Sequence, residues 1–215
     1  MLSNFLTEHL IYRDRDFMII HKPAGLLTVP GKTEDLQDCL INRLLAIEPK
    51  TLLVHRLDRD TSGLLVFGLN KAAQKSISRQ FQERQTDKTY MAIVAGTLTG
   101  QGEINVPVVY DPTRPPLHMA DPECPKPALT LWTALENFSI NGQAVTRVAL
   151  TPVTGRSHQL RVHMQYLGHP IVGDTLYATP AQQALMPRLC LHAAHLAFTH
   201  PYTEAAVAFD CPAPF

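Results

Sequence analysis

One carboxylate stands between two arginines, just before an apolar run, in the segment His55-Arg56-Leu57-Asp58-Arg59-Asp60-Thr61-Ser62-Gly63-Leu64-Leu65. A carboxylate beside a buried strand is costly unless a cation or hydrogen-bond donors partner it. The triplet Thr61-Ser62-Gly63 predicts a tight turn, in which the glycine adopts a backbone conformation that other residues avoid. The pattern therefore predicts that Asp58 lies on a loop in a fixed pose and that a strand follows at Leu64–Leu69.

The composition is that of a folded domain with no overall charge. The 215 residues are 45% hydrophobic, and 19 basic residues balance 19 acidic ones. This balance is not the basic signature of a typical nucleic-acid binder. The distribution is uneven, however, because residues 137–173 contain no acid but include Arg147, Arg156 and Arg161. A neutral chain can thus present one positive face.

The cysteines and the apolar runs indicate the compartment. The four cysteines are far apart and form no Cys-x-x-Cys pair, which argues against a disulfide framework or a structural zinc site. Charged residues interrupt the N-terminal region, so no secretory signal is predicted, and no apolar run is long enough for a membrane span. The expectation is a cytoplasmic protein.

Two helices are predicted in the first half of the chain. The first is expected over Asp35–Ile47, with Asp35 as its cap, and the second from Lys71 to about Gln85, with Asn70 as its cap. The second helix carries an apolar stripe of Ala73, Ile77 and Phe81 and a basic stripe of Lys71, Lys75 and Arg79. A basic stripe suits a phosphate backbone, although an ordinary solvated face has the same pattern.

Strands are predicted by short β-type runs, and a turn signal joins two of them. Asn141-Gly142 is typical of a hairpin turn. The seven prolines of Pro107–Pro127 exclude a regular helix or a central strand, so a long surface segment is expected there. The predicted strands are Phe17–Ile20, Leu64–Leu69, Thr89–Val94, Leu129–Leu135, Ala144–Leu150 and Leu189–Phe198.

A second polar motif reads Gly155-Arg156-Ser157-His158-Gln159-Leu160-Arg161-Val162-His163. Ser157 is predicted to cap a helix that Gly168 ends, with an apolar face formed by Leu160, Met164 and Leu167. Arg161 lies off that face, so its guanidinium can turn toward a polar site.

Neither a metal site nor a nucleotide cofactor is predicted. His158 and His163 are five residues apart with no acid near, which does not fit a zinc motif. Gly31-Lys32-Thr33 lacks the glycine spacing of a phosphate loop, and Pro30 removes a backbone donor where phosphate would bind.

The first motif resembles the catalytic motif of the RluA family of RNA pseudouridine synthases. Other segments are similar to further motifs of that family, in the same order along the chain: Lys22-Pro23-Ala24-Gly25-Leu26, Tyr90 in a Tyr-x-Ala string, and Gly155–His163. Length and motifs are most similar to a short member of the family that acts on both ribosomal and transfer RNA.

This resemblance implies a fold and a domain organisation. The expected fold is α+β, with a mixed and largely antiparallel central sheet flanked by helices and loops. Residues 1–215 would form a single catalytic domain, in which residues 1–16 are an N-terminal extension. Many relatives carry an additional S4 RNA-binding domain, for which this chain has no room.

The resemblance also implies the site. Asp58 would be the catalytic carboxylate, Arg161 its arginine partner, and Tyr90 the residue that lies against the target base. Arg56 is predicted to enter the RNA stack when the uridine is turned out. The remaining predicted substrate-binding residues are His55, Arg156 and the basic stripe Lys71, Lys75 and Arg79.

The implied activity is the isomerisation of uridine to pseudouridine in structured RNA. The reaction involves no change of redox state, so no cofactor is expected, and a monomer is sufficient for a stem-loop substrate. Three alternatives remain at this point: a non-catalytic RNA-binding protein with the same fold, a nucleotide hydrolase that uses Gly31-Lys32-Thr33, and a metal-dependent hydrolase that uses the ten histidines.

Overall fold

The computed structural model describes residues 2–215, with side chains from Phe5 onward. The α-helices are α1 Leu2–His9, α2 Leu40–Leu45, α3 Lys71–Gln82, α4 Gln159–Tyr166 and α5 Pro180–Gln183. The strands are β1 Leu10–Arg13, β2 Phe17–Lys22, β3 Leu52–Leu53, β4 Ser62–Gly68, β5 Asp87–Ala95, β6 Gln101–Asn105, β7 Val108–Tyr110, β8 His118–Ala120, β9 Leu129–Ile140, β10 Gln143–Pro152, β11 Leu191–Thr199 and β12 Ala206–Asp210.

The chain divides into two compact units. The first unit contains the chain up to Lys88 together with Ala193–Pro214, and the second contains Thr89–His192 and the terminal Phe215. Among the described residues, no helix is long and apolar enough to cross a membrane.

The first unit is built around β4, which is buried along its whole length. β4 runs antiparallel to β2, with Ile20 opposite Leu65, and β1 lies antiparallel on the outer side of β2. β12 lies antiparallel to β11. Side chains from β2, β4, α3 and β11 form one apolar cluster that includes Phe17, Val66 and Ile77. The strand predicted at Leu64–Leu69 is therefore the centre of this unit.

Gly63 has a positive φ of 115°, as predicted for this glycine. It lies within β4, opposite Lys22, so the tight turn predicted at Thr61-Ser62-Gly63 is wrong, and the chain bends at Arg59 and Asp60 instead. A Cβ atom at this position would lie 2.3 Å from the carbonyl oxygen of Ala193. Because no side chain fits that space, the glycine lets two backbone segments come together at the start of β4. This contact fixes the end of the loop that carries Asp58.

The first predicted helix is wrong in its start and its length. In place of a helix over Asp35–Ile47, the structure has a 3-10 turn at Glu34–Leu36, and α2 begins only at Leu40. The amide of Leu40 donates to the carbonyl of Leu27, and that of Ile41 to Thr28. These tertiary hydrogen bonds override the helical spacing of the leucines.

The second predicted helix is confirmed as α3. The side chain of Asn70 accepts a hydrogen bond from the amide of Ala73, as an N-cap does. Ala73 and Ile77 are buried, and Lys71, Lys75 and Arg79 are exposed along the helix.

The second unit contains a meander in which β5, β10, β9 and β6 pair antiparallel in that order. The hairpin between β9 and β10 turns at Asn141 and Gly142, whose φ angles of 51° and 77° are both positive, as predicted for this pair. A large apolar cluster includes Val94, Val148 and Met164. The predicted antiparallel character is thus present within this unit.

The proline-rich segment does lie outside the main sheet, but it is not a plain loop. β7 and β8 pair antiparallel as a separate two-stranded sheet, with Tyr110 opposite His118. Val108 is buried in a small cluster with Val162 and Tyr177, so this hairpin packs against α4. We call residues 107–121 the β7–β8 hairpin.

Candidate active site

The backbone just before Asp58 is held by the hydroxyl of Thr28. The Thr28 Oγ1 atom donates to the carbonyl of Leu57 at 2.7 Å and accepts from the Leu57 amide at 3.2 Å. Both Thr28 and Leu57 are buried. One hydroxyl therefore satisfies both backbone groups of the residue that precedes the predicted catalytic carboxylate.

The backbone just after Asp58 is held by a fully buried lysine. The Nζ atom of Lys22, whose side chain has no exposed surface, donates to the carbonyls of Arg59 at 2.8 Å, Leu26 at 2.7 Å and Pro23 at 2.9 Å. A buried ammonium is stable only with such partners. Lys22 and Thr28 thus fix the loop on both sides of Asp58, and we call these two residues the loop clamp.

Other predicted residues of the first motif lie around this clamped loop. Asp58 is partly buried, whereas Arg56 and Arg59 are exposed. The guanidinium of Arg59 contacts the carboxylate of Asp60 at 3.2 Å, which gives that acid a surface partner. The loop position predicted for Asp58 is therefore confirmed, and its neighbours present positive charge to solvent.

The loop clamp gives a first prediction. Thr28→Val keeps the shape of the side chain but removes both hydrogen bonds to Leu57, so the pose of Asp58 is expected to loosen. We expect a stability loss of about 1–3 kcal/mol and a fall in kcat of about tenfold. Urea unfolding and steady-state kinetics on RNA measure the two effects.

Thr51→Val is the matched control for Thr28→Val. The buried Thr51 hydroxyl donates to the carbonyl of Glu48 at 2.7 Å, away from the Asp58 loop. Thr51→Val should lose a similar amount of stability and keep the kcat of the parent. An equal fall of kcat in both variants would refute the positioning role of Thr28.

His55 has a packing role in the structure. Its Nε2 accepts a hydrogen bond from the amide of Val66 at 3.2 Å, and its ring stacks on Phe81 with 4.3 Å between centroids. Burial, with a smaller contribution from the charge of Lys88, lowers the pKa of His55 to about 3. The imidazole is therefore neutral at physiological pH, so any contact with substrate would not be a charge contact with phosphate.

The helix of the second motif starts one residue later than predicted. His158, not Ser157, precedes α4, and it adopts the left-handed conformation with φ of 56°. This conformation is unusual for a residue other than glycine, although histidine tolerates it better than most. Gly168 follows the helix with φ of 89°, as predicted.

The polar residues of α4 at positions 159 and 163 form a buried hydrogen-bonded chain. Gln159 Nε2 donates to the hydroxyl of Thr130 at 3.0 Å, and that hydroxyl lies 2.9 Å from His163 Nδ1. His163 Nε2 donates to the carbonyl of Val106 at 2.9 Å, so Nδ1 is the acceptor. Burial lowers the pKa of His163 and favours this neutral form. This series of hydrogen bonds was not predicted, although the spacing of four residues places the side chains of Gln159 and His163 on one helix face.

Arg161 is bound to the buried acid Asp174. Its Nε and Nη2 atoms contact the two carboxylate oxygens of Asp174 at 2.7 and 2.6 Å, and both side chains are buried. Asp174 also accepts hydrogen bonds from the amides of Leu176 and Tyr177. This two-pronged contact fixes the plane of the guanidinium.

The other predicted residues of the second unit occupy different positions. Tyr90 lies on β5 opposite Leu150 and is partly buried against the apolar cluster. Arg156 is exposed and folds over the carbonyl of Pro127, at 3.2 Å from its Nη2 atom. The predicted site residues are therefore divided: Asp58, His55, Arg56 and the α3 stripe belong to the first unit, and Tyr90, Arg156 and Arg161 to the second.

Asp14, Asp16 and His200 lie close enough to hold an ion, with their ligand atoms within 4.8 Å of one another. Each side chain is nevertheless engaged in hydrogen bonds. Asp14 binds two backbone amides and the Nε2 atom of His200, and Asp16 binds the side chain of Asn70. The cluster is explained by these contacts, which join the start of β2 to the end of β11.

Comparison with known proteins identifies the family. The family model described as RNA pseudouridylate synthase matches residues 16–166, which include both polar motifs. The chain belongs to this family. Over 207 residues, it is 46% identical to the dual-specificity RNA pseudouridine synthase RluA of Pasteurella multocida (strain Pm70) and 43% identical to the protein of that name from Escherichia coli (strain K12). Each alignment covers 96% of this chain and 93% of the relative.

Solved structures of the family have the same fold. Human RNA pseudouridylate synthase domain containing 1 superposes with a TM-score of 0.81 at 35% identity, covering 96% of this chain and 84% of the human chain. Human RNA pseudouridylate synthase domain containing 4 gives 0.76 at 24% identity, covering 99% and 91%, which supports the fold alone. The predicted family and the α+β fold class are confirmed. The protein is an RNA pseudouridine synthase, which is an isomerase acting on RNA.

Proposed function

We propose that this RNA pseudouridine synthase converts uridines in ribosomal and transfer RNA stem-loops, with Asp58 as the catalytic carboxylate. The observation that carries the role of Asp58 is the loop clamp, which fixes the backbone on both sides of this residue and of no other acid in the motif. Precise placement of a reacting group is what such a reaction demands. The breadth of substrate is supported by relatives that are named dual-specificity enzymes.

The reaction sets the requirements for the site. The C1′–N1 bond breaks, the uracil turns, and C1′ bonds to C5, while C5 loses a proton and N1 gains one. Atoms and electrons balance without a cofactor. An ionised carboxylate beside the sugar can attack carbon or remove a sugar proton, and either route needs Asp58 charged and held in place.

Two residues of the second unit complete the proposed chemistry. Arg161 is proposed as the cationic partner of the catalytic carboxylate, which is the role that the resemblance to the family implies. Tyr90 stacks on the uracil ring, as aromatic side chains do with unpaired bases. The bidentate contact with Asp174 supports the role of Arg161, since it gives the guanidinium one orientation.

Arg56 is proposed to fill the space that the flipped uridine leaves. It is exposed, two residues before Asp58, and a guanidinium stacks well on bases. Arg56→Ala is expected to lower kcat/KM on stem-loop RNA by about ten- to a hundredfold, because flipping costs a few kcal/mol. The control is Arg59→Ala, which removes an exposed arginine on the other side of Asp58. Equal rates for Arg56→Ala and the parent on stem-loop RNA would exclude insertion.

The exposed stripe Lys71, Lys75 and Arg79 is proposed to contact phosphates. Changing all three residues to glutamine should weaken RNA binding and reduce the slope of log K against log salt by about 2–3, because each phosphate contact releases counterions. Fluorescence anisotropy at several salt concentrations measures this slope. The double variant Lys32→Gln, Lys50→Gln removes exposed lysines away from α3 and should leave it unchanged. An unaltered slope in the triple variant would contradict the assignment.

We further propose that the two units act as a single catalytic domain over residues 1–215, in which 1–16 is an N-terminal extension, and that the enzyme is a cytoplasmic monomer. The four cysteines support a reducing compartment, since none forms a disulfide in the described part of the chain. Size-exclusion chromatography with light scattering tests the monomer, and a dimer mass would contradict it.

His55 and Arg156 are proposed to contact the RNA beside the target nucleotide.

The proposed function is tested by incubating the protein with RNA transcripts labelled with tritium at uridine C5. Isomerisation releases that tritium to water, and nuclease digestion then reveals pseudouridine. Transfer and ribosomal RNA fragments are assayed separately. RNA binding without tritium release would favour a non-catalytic RNA-binding protein instead.

A further inference from the structure

Tyr177 is a buried residue that makes contacts with three separate parts of the second unit. Its hydroxyl accepts a hydrogen bond from the amide of His118 at 2.8 Å and is hydrogen-bonded with His158 Nδ1 at 2.6 Å. Its own amide donates to Asp174, and its ring lies under the guanidinium of Arg161, 5.0 Å from the Cζ atom. Neither composition nor spacing had singled out this residue.

The ring of Tyr177 and the carboxylate of Asp174 hold Arg161 in complementary ways. Asp174 binds the Nε–Nη2 edge of the guanidinium through both carboxylate oxygens, and the aromatic face of Tyr177 lies beneath its Cζ atom. A cation over a desolvated aromatic ring is more strongly bound than one at the surface. Removing the ring would take away the contact on the face of the guanidinium and leave the edge contact with Asp174 in place.

The hydroxyl of Tyr177 in turn fixes the ring. Its two hydrogen bonds reach residues on different elements, since His118 lies on β8 and His158 directly precedes α4. The unusual backbone of His158 directs its imidazole to this contact, where the two rings are nearly perpendicular at 86°. A strained residue that serves a specific contact is typical of functional sites.

We propose that Tyr177 is a positioning residue for Arg161: its ring supports the guanidinium, and its hydroxyl, anchored by His158 and the β7–β8 hairpin, keeps the ring in place. The proposal rests on the role of Arg161 given under the proposed function. Tyr177 itself does not touch the substrate. Its loss should therefore lower kcat and leave KM for RNA unchanged.

Two substitutions separate the ring from the hydroxyl. Tyr177→Leu removes the aromatic face and is expected to lower kcat about thirtyfold. Tyr177→Phe keeps the face but loses the hydroxyl hydrogen bonds, with an expected fall of about fivefold. Tyr166→Leu is the matched control, because Tyr166 is 59% exposed on α4 and its loss should change neither constant.

A second readout does not depend on activity. In protein labelled with nitrogen-15, the Nε–H signal of Arg161 is assigned by its disappearance in Arg161→Lys, and its exchange with solvent is measured. Exchange should accelerate more than about tenfold in Tyr177→Leu and less in Tyr177→Phe, as the guanidinium loosens. Circular dichroism tests whether each variant is folded. If Tyr177→Leu is unfolded, the exchange rate in Tyr177→Phe decides the proposal.

The proposal is overturned if Arg161 exchange in the folded variants matches the parent, or if KM rises while kcat is unchanged. Failure of the proposed function gives a different result, because the parent protein would then release no tritium from RNA. The exchange rate of the Arg161 Nε–H would still test the role of Tyr177. Faster exchange together with a fall confined to kcat supports the assignment.

Discussion

Asp58→Asn is expected to reduce pseudouridine formation by more than about 10³-fold, which is the largest effect we predict for a single change. Asparagine has nearly the same shape but carries no negative charge, so it can neither attack carbon nor remove a proton. The loop clamp holds this loop through the backbone of Leu57 and Arg59, and these hydrogen bonds remain when the side chain at position 58 changes, so the substitution should leave the fold intact. Tritium release under single-turnover conditions measures the rate, and thermal unfolding checks the stability.

Asp60→Asn provides the matched control for this experiment. It removes an acid from the same loop, two residues away, whose side chain contacts Arg59 at the surface. Surface ion pairs contribute little, so its activity should remain within about twofold of the parent. If Asp58→Asn retains a tenth of the parent rate, Asp58 is not the reacting group and the proposed mechanism fails.

The sequence was sufficient for features that depend on neighbours along the chain. The capped helix α3, the hairpin turn at Asn141-Gly142 and the buried strand β4 follow from local spacing and turn chemistry. The polar loop before β4 follows too, because Gly63 and the acid between arginines mark it. Each of these patterns is complete within about a dozen residues.

Other features depend on contacts between distant residues and could not be read in this way. Lys22 holds the carbonyl of Arg59, 37 positions later. Its segment resembles a family motif, but the local spacing does not show that this lysine is buried or which carbonyls it binds. The helix expected over Asp35–Ile47 is broken because Leu40 bonds to Leu27. Periodicity predicts which residues can be buried, and tertiary hydrogen bonds decide where helices start.

The buried pair of Arg161 and Asp174 should make the largest single contribution to stability that we can test. Asp174→Asn removes the charge that faces both Nε and Nη2, and is expected to cost about 3–5 kcal/mol, because breaking a buried ion pair leaves its partner poorly compensated. That is a large fraction of the total stability of a typical domain, which is about 5–15 kcal/mol. Urea unfolding monitored by circular dichroism gives the difference.

The chain offers a control in which geometry is held constant and burial changes. Arg43 binds Asp38 through the same atoms, at 2.7 Å from Nε and 2.6 Å from Nη2, but the Asp38 side chain is 65% exposed. Asp38→Asn should therefore cost less than about 1 kcal/mol, since solvent screens the pair. Similar losses in the two variants would mean that burial does not govern the strength of these contacts, and that Asp174 does not fix Arg161 in the way its distances suggest. A large loss confined to Asp174→Asn would show that the fold holds this arginine in place before any RNA binds.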